Sequence, residues 1–230
     1  GLIAGPAVAG VMIGVWGADS VYFLVGVLGV IGLGMLLLVR NRNVYRSDES
    51  KSAWQDIKDG MNFVRTDPMI RVLMSLNLLA LFAGFIIPLI PVYAADVFEV
   101  GGEGFGVMMA LFGLGGAAGT MVLVVGGDKS RKGPLMVTSG IIFGACMIGF
   151  AFSREYYLSL ALLAVMGAVG LAYVITISVL VQTYTPDEMR GRVMSLFGMT
   201  MQLFALGFLL SGVLAEATSN ELALVVGGIG

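Results

Sequence analysis

Residues 104–132 read GFGVMMALFGLGGAAGTMVLVVGGDKSRK. Positions 104–127 pass without a single charge, and then Asp128, Lys129, Arg131 and Lys132 arrive together. At about 1.5 Å per helical residue, that uncharged run exceeds the roughly 30 Å hydrocarbon core of a bilayer. The pattern reads as a membrane-spanning helix that ends in a basic loop. Working outward in both directions, further uncharged stretches lie at 20–39, 72–95, 133–153, 156–186 and 193–215, each at least twenty residues long. The shorter uncharged ends, 1–18 and 222–230, read as spans that have been cut.

The sign of the loops orients the whole series. Threading the spans back and forth puts Arg40, Arg42, Arg46, Lys51, Lys58, Arg65, Arg71, Lys129, Arg131, Lys132, Arg190 and Arg192 on one side. The other side holds Arg154 alone, among Asp19, Asp96, Glu99, Glu103, Glu155, Glu216 and Glu221. Basic loops stay in the cytoplasm during insertion, so loops 40–70, 127–134 and 184–192 are expected there. No soluble core explains this distribution. The sequence predicts an all-α, polytopic transmembrane helical bundle in the cytoplasmic (inner) membrane.

Composition agrees with that fold class. A hydrophobic fraction of 58% with 12% charge suits a bundle in lipid and would be insoluble as a globular domain. The chain contains no His, which removes imidazole metal sites, haem ligation and His-based proton relays. Cys146 is the single cysteine and sits inside an apolar run, where it reads as a small packing residue. No nucleophile–base pair or metal-ligand cluster is visible, so no enzyme activity, cofactor or metal is expected.

Many of the 34 glycines fall within spans, not loops. Gly106, Ala110, Gly113, Ala117 and Thr120 recur at helical spacing, as do Gly10, Gly14 and Gly17. Small residues at that period let helix backbones approach closely in lipid. Between the second and third spans, Trp54, Ile57, Met61 and Val64 fall three or four apart, which predicts an amphipathic surface helix stopped by Pro68. In the third span Asn77, Gly84, Pro88 and Pro91 share roughly one face, and the two prolines must break or kink the helix.

Several local motifs resemble one family. Gly1, Gly5, Pro6, Ala9 and Gly10 spell G-x-x-x-G-P-x-x-A-G, similar to the fifth-span motif of antiporters in the major facilitator superfamily. Residues 126–133, GGDKSRKG, resemble its loop between spans eight and nine, with Lys129 in place of Arg. Residues 185–196, TPDEMRGRVMSL, resemble a segment of the exporter branch that includes the enterobactin exporter and macrolide efflux proteins. Residues 57–65, IKDGMNFVR, followed by Pro68 and Arg71, are similar to that branch's central loop, and the run 112–115, FGLG, fits it too.

The resemblance implies a partial major facilitator fold covering spans five to twelve, with four spans preceding the first residue. Residues 1–39 would close the N-terminal six-helix half, 40–70 would be the cytoplasmic linker, and 71–230 the C-terminal half with its last span cut short. It further implies alternating access and export of small amphipathic compounds, of drug or siderophore type, by proton antiport. The alternatives are a solute importer of the same superfamily and a non-transporting membrane receptor or scaffold. Asn77, Phe85, Tyr173 and Thr176 are the expected substrate-path residues, since spans seven and ten line the cavity in this superfamily. Asp128, Arg131, Lys132, Asp187, Arg190 and Arg192 would form the cytoplasmic gate, with Glu188 beside them. The plainer readings are interhelical hydrogen bonds for the first group and topology-fixing charges for the second. The expected partners are membrane lipid, a small-molecule substrate and protons, with no nucleic acid. No carboxylate lies inside a complete span, so a titrating acid would sit at an edge, as Asp96 or Glu216 do, or outside this sequence.

Overall fold

The computed structural model describes residues 18–38, 53–78, 80–126 and 132–229. Among these the chain is helical, with no strand. Helix α1, Ala18–Leu38, is apolar all round, and between Tyr22 and Met35 only Leu24 is not exposed. A helix apolar on every side belongs in a membrane or inside protein, not in water. Helix α2, Ala53–Thr66, is the amphipathic segment expected before Pro68. Asp67 then caps α3, Pro68–Asn77, by accepting the Ile70 N–H at 2.9 Å. Pro68 opens α3, where its missing N–H costs nothing. The chain turns through 106° between Trp54–Thr66 and Pro68–Ala83.

The third span is broken more thoroughly than a kink. After α3 come a short turn α4, Ala80–Ala83, a bend, a second turn α5, Ile90–Val92, and a π-helical turn, Tyr93–Val97. Pro88 and Pro91 supply no N–H to the ladder, so regular α-helix cannot run through them. The π turn re-forms with Phe98 N–H donating to the Tyr93 carbonyl at 2.9 Å.

The remaining spans are continuous by comparison. They are α6, Gly101–Gly126, α7, Lys132–Phe152, α8, Tyr156–Tyr184, α9, Asp187–Met201, α10, Leu203–Ala217, and α11, Asn220–Ile229. By length and apolar character, four stretches among the described residues can cross a membrane: Gly101–Leu123, Gly133–Phe152, Tyr156–Tyr184 and Asp187–Ala217. The last combines α9 and α10, which break at Gln202. Arg190 and Arg192, expected in a loop, therefore lie in the opening turns of α9. Asp187 and Glu188 precede them, where acids favour a helix start.

Helix α8 is central, packing most extensively on α6 and then on α7. The α6–α8 contact is a seam of small residues, though not the one expected. A Cβ on Gly115 would stand 1.9 Å from the Ala164 carbonyl oxygen, and one on Gly119 would stand 2.2 Å from that of Ala168. The seam thus runs along Gly115 and Gly119, while Ala117 is exposed and Gly113 faces elsewhere. Two more crossings use glycine: Gly144 of α7 on Gly228 of α11, and Gly84 on α10 at Gly207.

Two apolar clusters fill the interior. One gathers Phe85, Ile90, Tyr93, Met108, Met147, Phe150, Leu163 and Leu224. Tyr93 Oη donates to the Ala151 carbonyl at 2.8 Å, and Tyr156 Oη donates to that of Gly104 at 3.0 Å. At the same end Arg154 and Glu221 meet at 2.9 Å, as their shared side in the threading requires. The second cluster gathers Val64, Ile70, Leu73, Met136, Ile177, Val181, Val193 and Phe197, and joins α2 to α3, α8 and α9.

Candidate functional site

A cavity of about 1430 Å³ draws its wall from both clusters and from the broken third span. Helix α3 contributes Leu73, Leu76 and Asn77, and α4 contributes Phe82. Met109, Phe112 and Gly113 come from α6; Met136, Ser139, Gly140 and Phe143 come from α7. Gly167, Gly170 and Tyr173 come from α8, Phe204 and Phe208 from α10, and Gly227 and Gly228 from α11. Among the described residues, no lining residue is charged. A wall of aromatic, methionine and glycine surface with few polar groups accommodates apolar bodies and discriminates by shape.

The polar groups on this wall are partly committed to the protein. Asn77 is buried and donates through Nδ2 to Thr200 Oγ1, which in turn donates to the Phe197 carbonyl at 2.8 Å. Tyr173 Oη donates to the Leu76 carbonyl at 2.9 Å. Both bonds land where helices stop, at the end of α3 and near the α9–α10 break. Broken helices leave carbonyls short of their regular partners in a medium that supplies none, and Tyr173 adds a donor to one that otherwise has the Leu78 N–H. The two breaks also touch directly: a Cβ on Gly84 would stand 2.4 Å from the Phe204 carbonyl oxygen, and one on Gly207 would stand 2.0 Å from that of Leu81.

The expected path residues therefore divide. Asn77 and Tyr173 line the cavity. Phe85 packs in the first apolar cluster, and Thr176 donates to its own helix at the Ala172 carbonyl, 2.7 Å away. Neither of these two lines the cavity. Thr183, on the same face of α8 as Tyr173, does.

The expected gate residues divide as well. Asp128 and Arg131 lie outside the described residues, as do Gly1, Gly5, Pro6 and Gly10, and of Lys132 only the backbone, at the start of α7, is described. Arg190 pairs locally with Asp187 at 2.6 Å and also donates to the Gln182 carbonyl at 3.2 Å. Arg192 instead reaches another element. Its Nε donates to Asp56 Oδ1 at 2.7 Å, and its Nη1 stands 3.7 Å from Asp59 Oδ2, both on α2. Gly60 permits this approach, since a Cβ there would stand 3.2 Å from Arg192 Cβ and 3.1 Å from Leu196 Cδ1.

The sequence reading missed the two acids. Asp56 and Asp59 are three residues apart on α2 and share the face that holds Gly60. That spacing was legible; their partner, well over a hundred residues away, was not.

Comparison with known proteins places this architecture. A family profile described as Major Facilitator Superfamily matches residues 1–208. The chain is similar to the multidrug efflux pump Tap of Mycolicibacterium fortuitum, 29% identical over 225 residues that cover 94% of this chain and 54% of that protein. It is similar to the staphyloferrin A transporter of Staphylococcus aureus, 27% identical over 217 residues, covering 92% of this chain and 53% of that protein. The multidrug efflux pump Tap of Mycobacterium tuberculosis is 27% identical over 224 residues, covering 94% and 52% respectively. The chain spans about half the length of the curated relatives it matches. No solved structure matches it.

Proposed function

We propose a transport function from one premise: the chain belongs to the major facilitator superfamily. It is accordingly part of a multi-pass helical membrane protein. In our reading the complete protein moves small amphipathic compounds outward across the cytoplasmic membrane, by alternating access, in exchange for protons. The observation that carries the substrate class is the charge-free wall of the cavity beside Asn77 and Tyr173. A sugar or a multiply charged metabolite would leave its polar groups unpaired there, at about 1–3 kcal/mol for each hydrogen bond lost. An apolar body with one or two polar groups would not. A relative called a multidrug efflux pump supports the same class.

In this reading Asn77 and Tyr173 contact substrate at the rim of two helix breaks, and Arg192 holds the linker helix against α9 on the cytoplasmic face. Helices interrupted at mid-membrane suit this role, because irregular backbone is tolerated only where protein or a water-filled cavity surrounds it. The exchanging acid would lie outside this sequence or at an outer edge, as Asp96 and Glu216 do.

Energised everted vesicles carrying the full-length protein test the proposal. They should accumulate a lipophilic dye and release it when the proton gradient is collapsed. Retention after collapse would remove the proton coupling, and uptake by right-side-out cells in place of extrusion would make the protein an importer.

A further inference from the structure

Helix α2 has two chemically distinct long faces. Ile57, Gly60 and Val64 turn inward onto α9 and the second apolar cluster, and Asp56 and Asp59 on that side are held by Arg192. Trp54, Lys58, Met61 and Arg65, spaced by four, three and four residues, form one exposed stripe on the other side. The sequence pattern had joined Trp54 and Met61 to Ile57 and Val64 as a single apolar face. The structure separates them and groups each with a cation.

We infer that this stripe seats on an anionic phospholipid surface, the headgroup layer of the leaflet beside α2. Three observations converge. The 106° turn after Thr66 lays α2 nearly across the direction of the chain that follows, the attitude of a helix lying on a membrane plane. Its two acids, though partly exposed, are engaged by Arg192, so the charges within the stripe are the cations Lys58 and Arg65, and Arg71, whose Nη1 donates to the Arg65 carbonyl at 3.3 Å, extends it. Finally, Trp54 is 65% exposed with the Lys58 ammonium 5.9 Å from its ring centre. An indole beside ammonium and guanidinium groups matches the headgroup region, where the ring sits among glycerol and carbonyl groups and the cations meet phosphate.

The proposal leans on the reading of the chain as a membrane protein, and only the choice of leaflet leans on its orientation. Each Lys or Arg near such a surface favours the seated state roughly fivefold.

The test uses the full-length protein in nanodiscs, with other tryptophans replaced by phenylalanine so that Trp54 reports alone. Both leaflets then carry the same lipid, which makes the result independent of orientation and of transport activity. With phosphatidylcholine brominated near the headgroup end of its chains, Trp54 fluorescence should be quenched. Adding about one-third phosphatidylglycerol should deepen the quenching and shield the ring from aqueous acrylamide. Lys58→Glu with Arg65→Glu should abolish that lipid dependence, and because both side chains are exposed, the thermal midpoint should be unchanged. Quenching by acrylamide that ignores lipid charge, with none from brominated chains, would overturn the proposal. So would shielding of Trp54 that appears only with cytosolic protein and not with lipid.

Discussion

Arg192, in the second turn of α9, donates to Asp56 of α2 across 136 residues of chain at 2.7 Å, and the arginine side chain is only 27% exposed. The pair ties the segment between the two predicted halves to the start of the penultimate span. A fixed guanidinium fork with two acids in reach is stronger than a lone surface pair. A double-mutant cycle of Arg192→Ala and Asp56→Ala, read by thermal unfolding in detergent, should give a coupling energy of about 1 kcal/mol. Arg192→Lys should recover only part of it, because an ammonium cannot match the fork. A coupling of zero would reduce the pair to a coincidence of side chains.

The glycine seam makes a sharper claim. Gly115→Ala and Gly119→Ala each drive a methyl group into a backbone carbonyl of α8, which cannot move without moving the helix. Each should cost about 1–3 kcal/mol or more, seen as a lowered thermal midpoint. Gly140→Ala and Gly212→Ala meet nothing within 4 Å and should be neutral or stabilising by up to about 1 kcal/mol. A Gly115→Ala protein that melts with the parent would refute the close packing of α6 on α8.

These two cases show what the sequence could and could not reveal. Lipid permits helices and excludes most else, so uncharged run lengths located the spans, and loop charge correctly put Arg154 on the same side as Glu221. Pro88 and Pro91 announced the broken span. Which glycine face would meet a neighbour was illegible, because Gly113, Gly115, Gly116 and Gly119 leave α6 smooth on several sides. The choice of Gly115 and Gly119 depends on where α8 lies, which no local pattern encodes. The same holds at the site. Asn77 and Tyr173 stood out as polar groups in apolar runs, but that they brace helix ends at Thr200 and Leu76 follows only from the tertiary arrangement.

That bracing is itself testable. Tyr173→Phe removes the hydroxyl that donates to the Leu76 carbonyl at the end of α3, leaving that oxygen to the Leu78 N–H. Loss of one such hydrogen bond should cost about 0.5–1.5 kcal/mol. Tyr173→Trp, which carries an N–H on a larger ring, should not restore the parent's stability, since the donor moves. Unchanged melting in Tyr173→Phe would mean that the hydroxyl serves only the cavity.

Acid should loosen the opposite end. The backbone N–H at the opening of α11 and the Arg154 guanidinium hold the Glu221 carboxyl below its ordinary value of 4.5. Its folded value lies under its unfolded one, so the stabilisation is complete above the unfolded range and is lost as pH falls through the folded value. The thermal midpoint of the parent should therefore fall more steeply below about pH 4.5 than that of Glu221→Gln. Parallel acid limbs in the two proteins would show that the pair contributes nothing.

The cavity can be filled without disturbing the packing around it. Gly140 lines it from α7, and a Cβ built there meets nothing within 4 Å. Tryptophan at this position would project an indole into the space where a substrate would lie, with no backbone to displace first. Gly212 of α10 has the same open surroundings but does not line the cavity. In full-length protein, Gly140→Trp should lower dye transport by at least about tenfold, which corresponds to about 1.4 kcal/mol of lost binding, while Gly212→Trp transports as the parent does. Both variants should reach the membrane in equal amounts, so the comparison reads occupancy and not folding. If Gly140→Trp transports at the parent's rate, the substrate passes elsewhere, and the charge-free wall beside Asn77 and Tyr173 is then packing that happens to be loose.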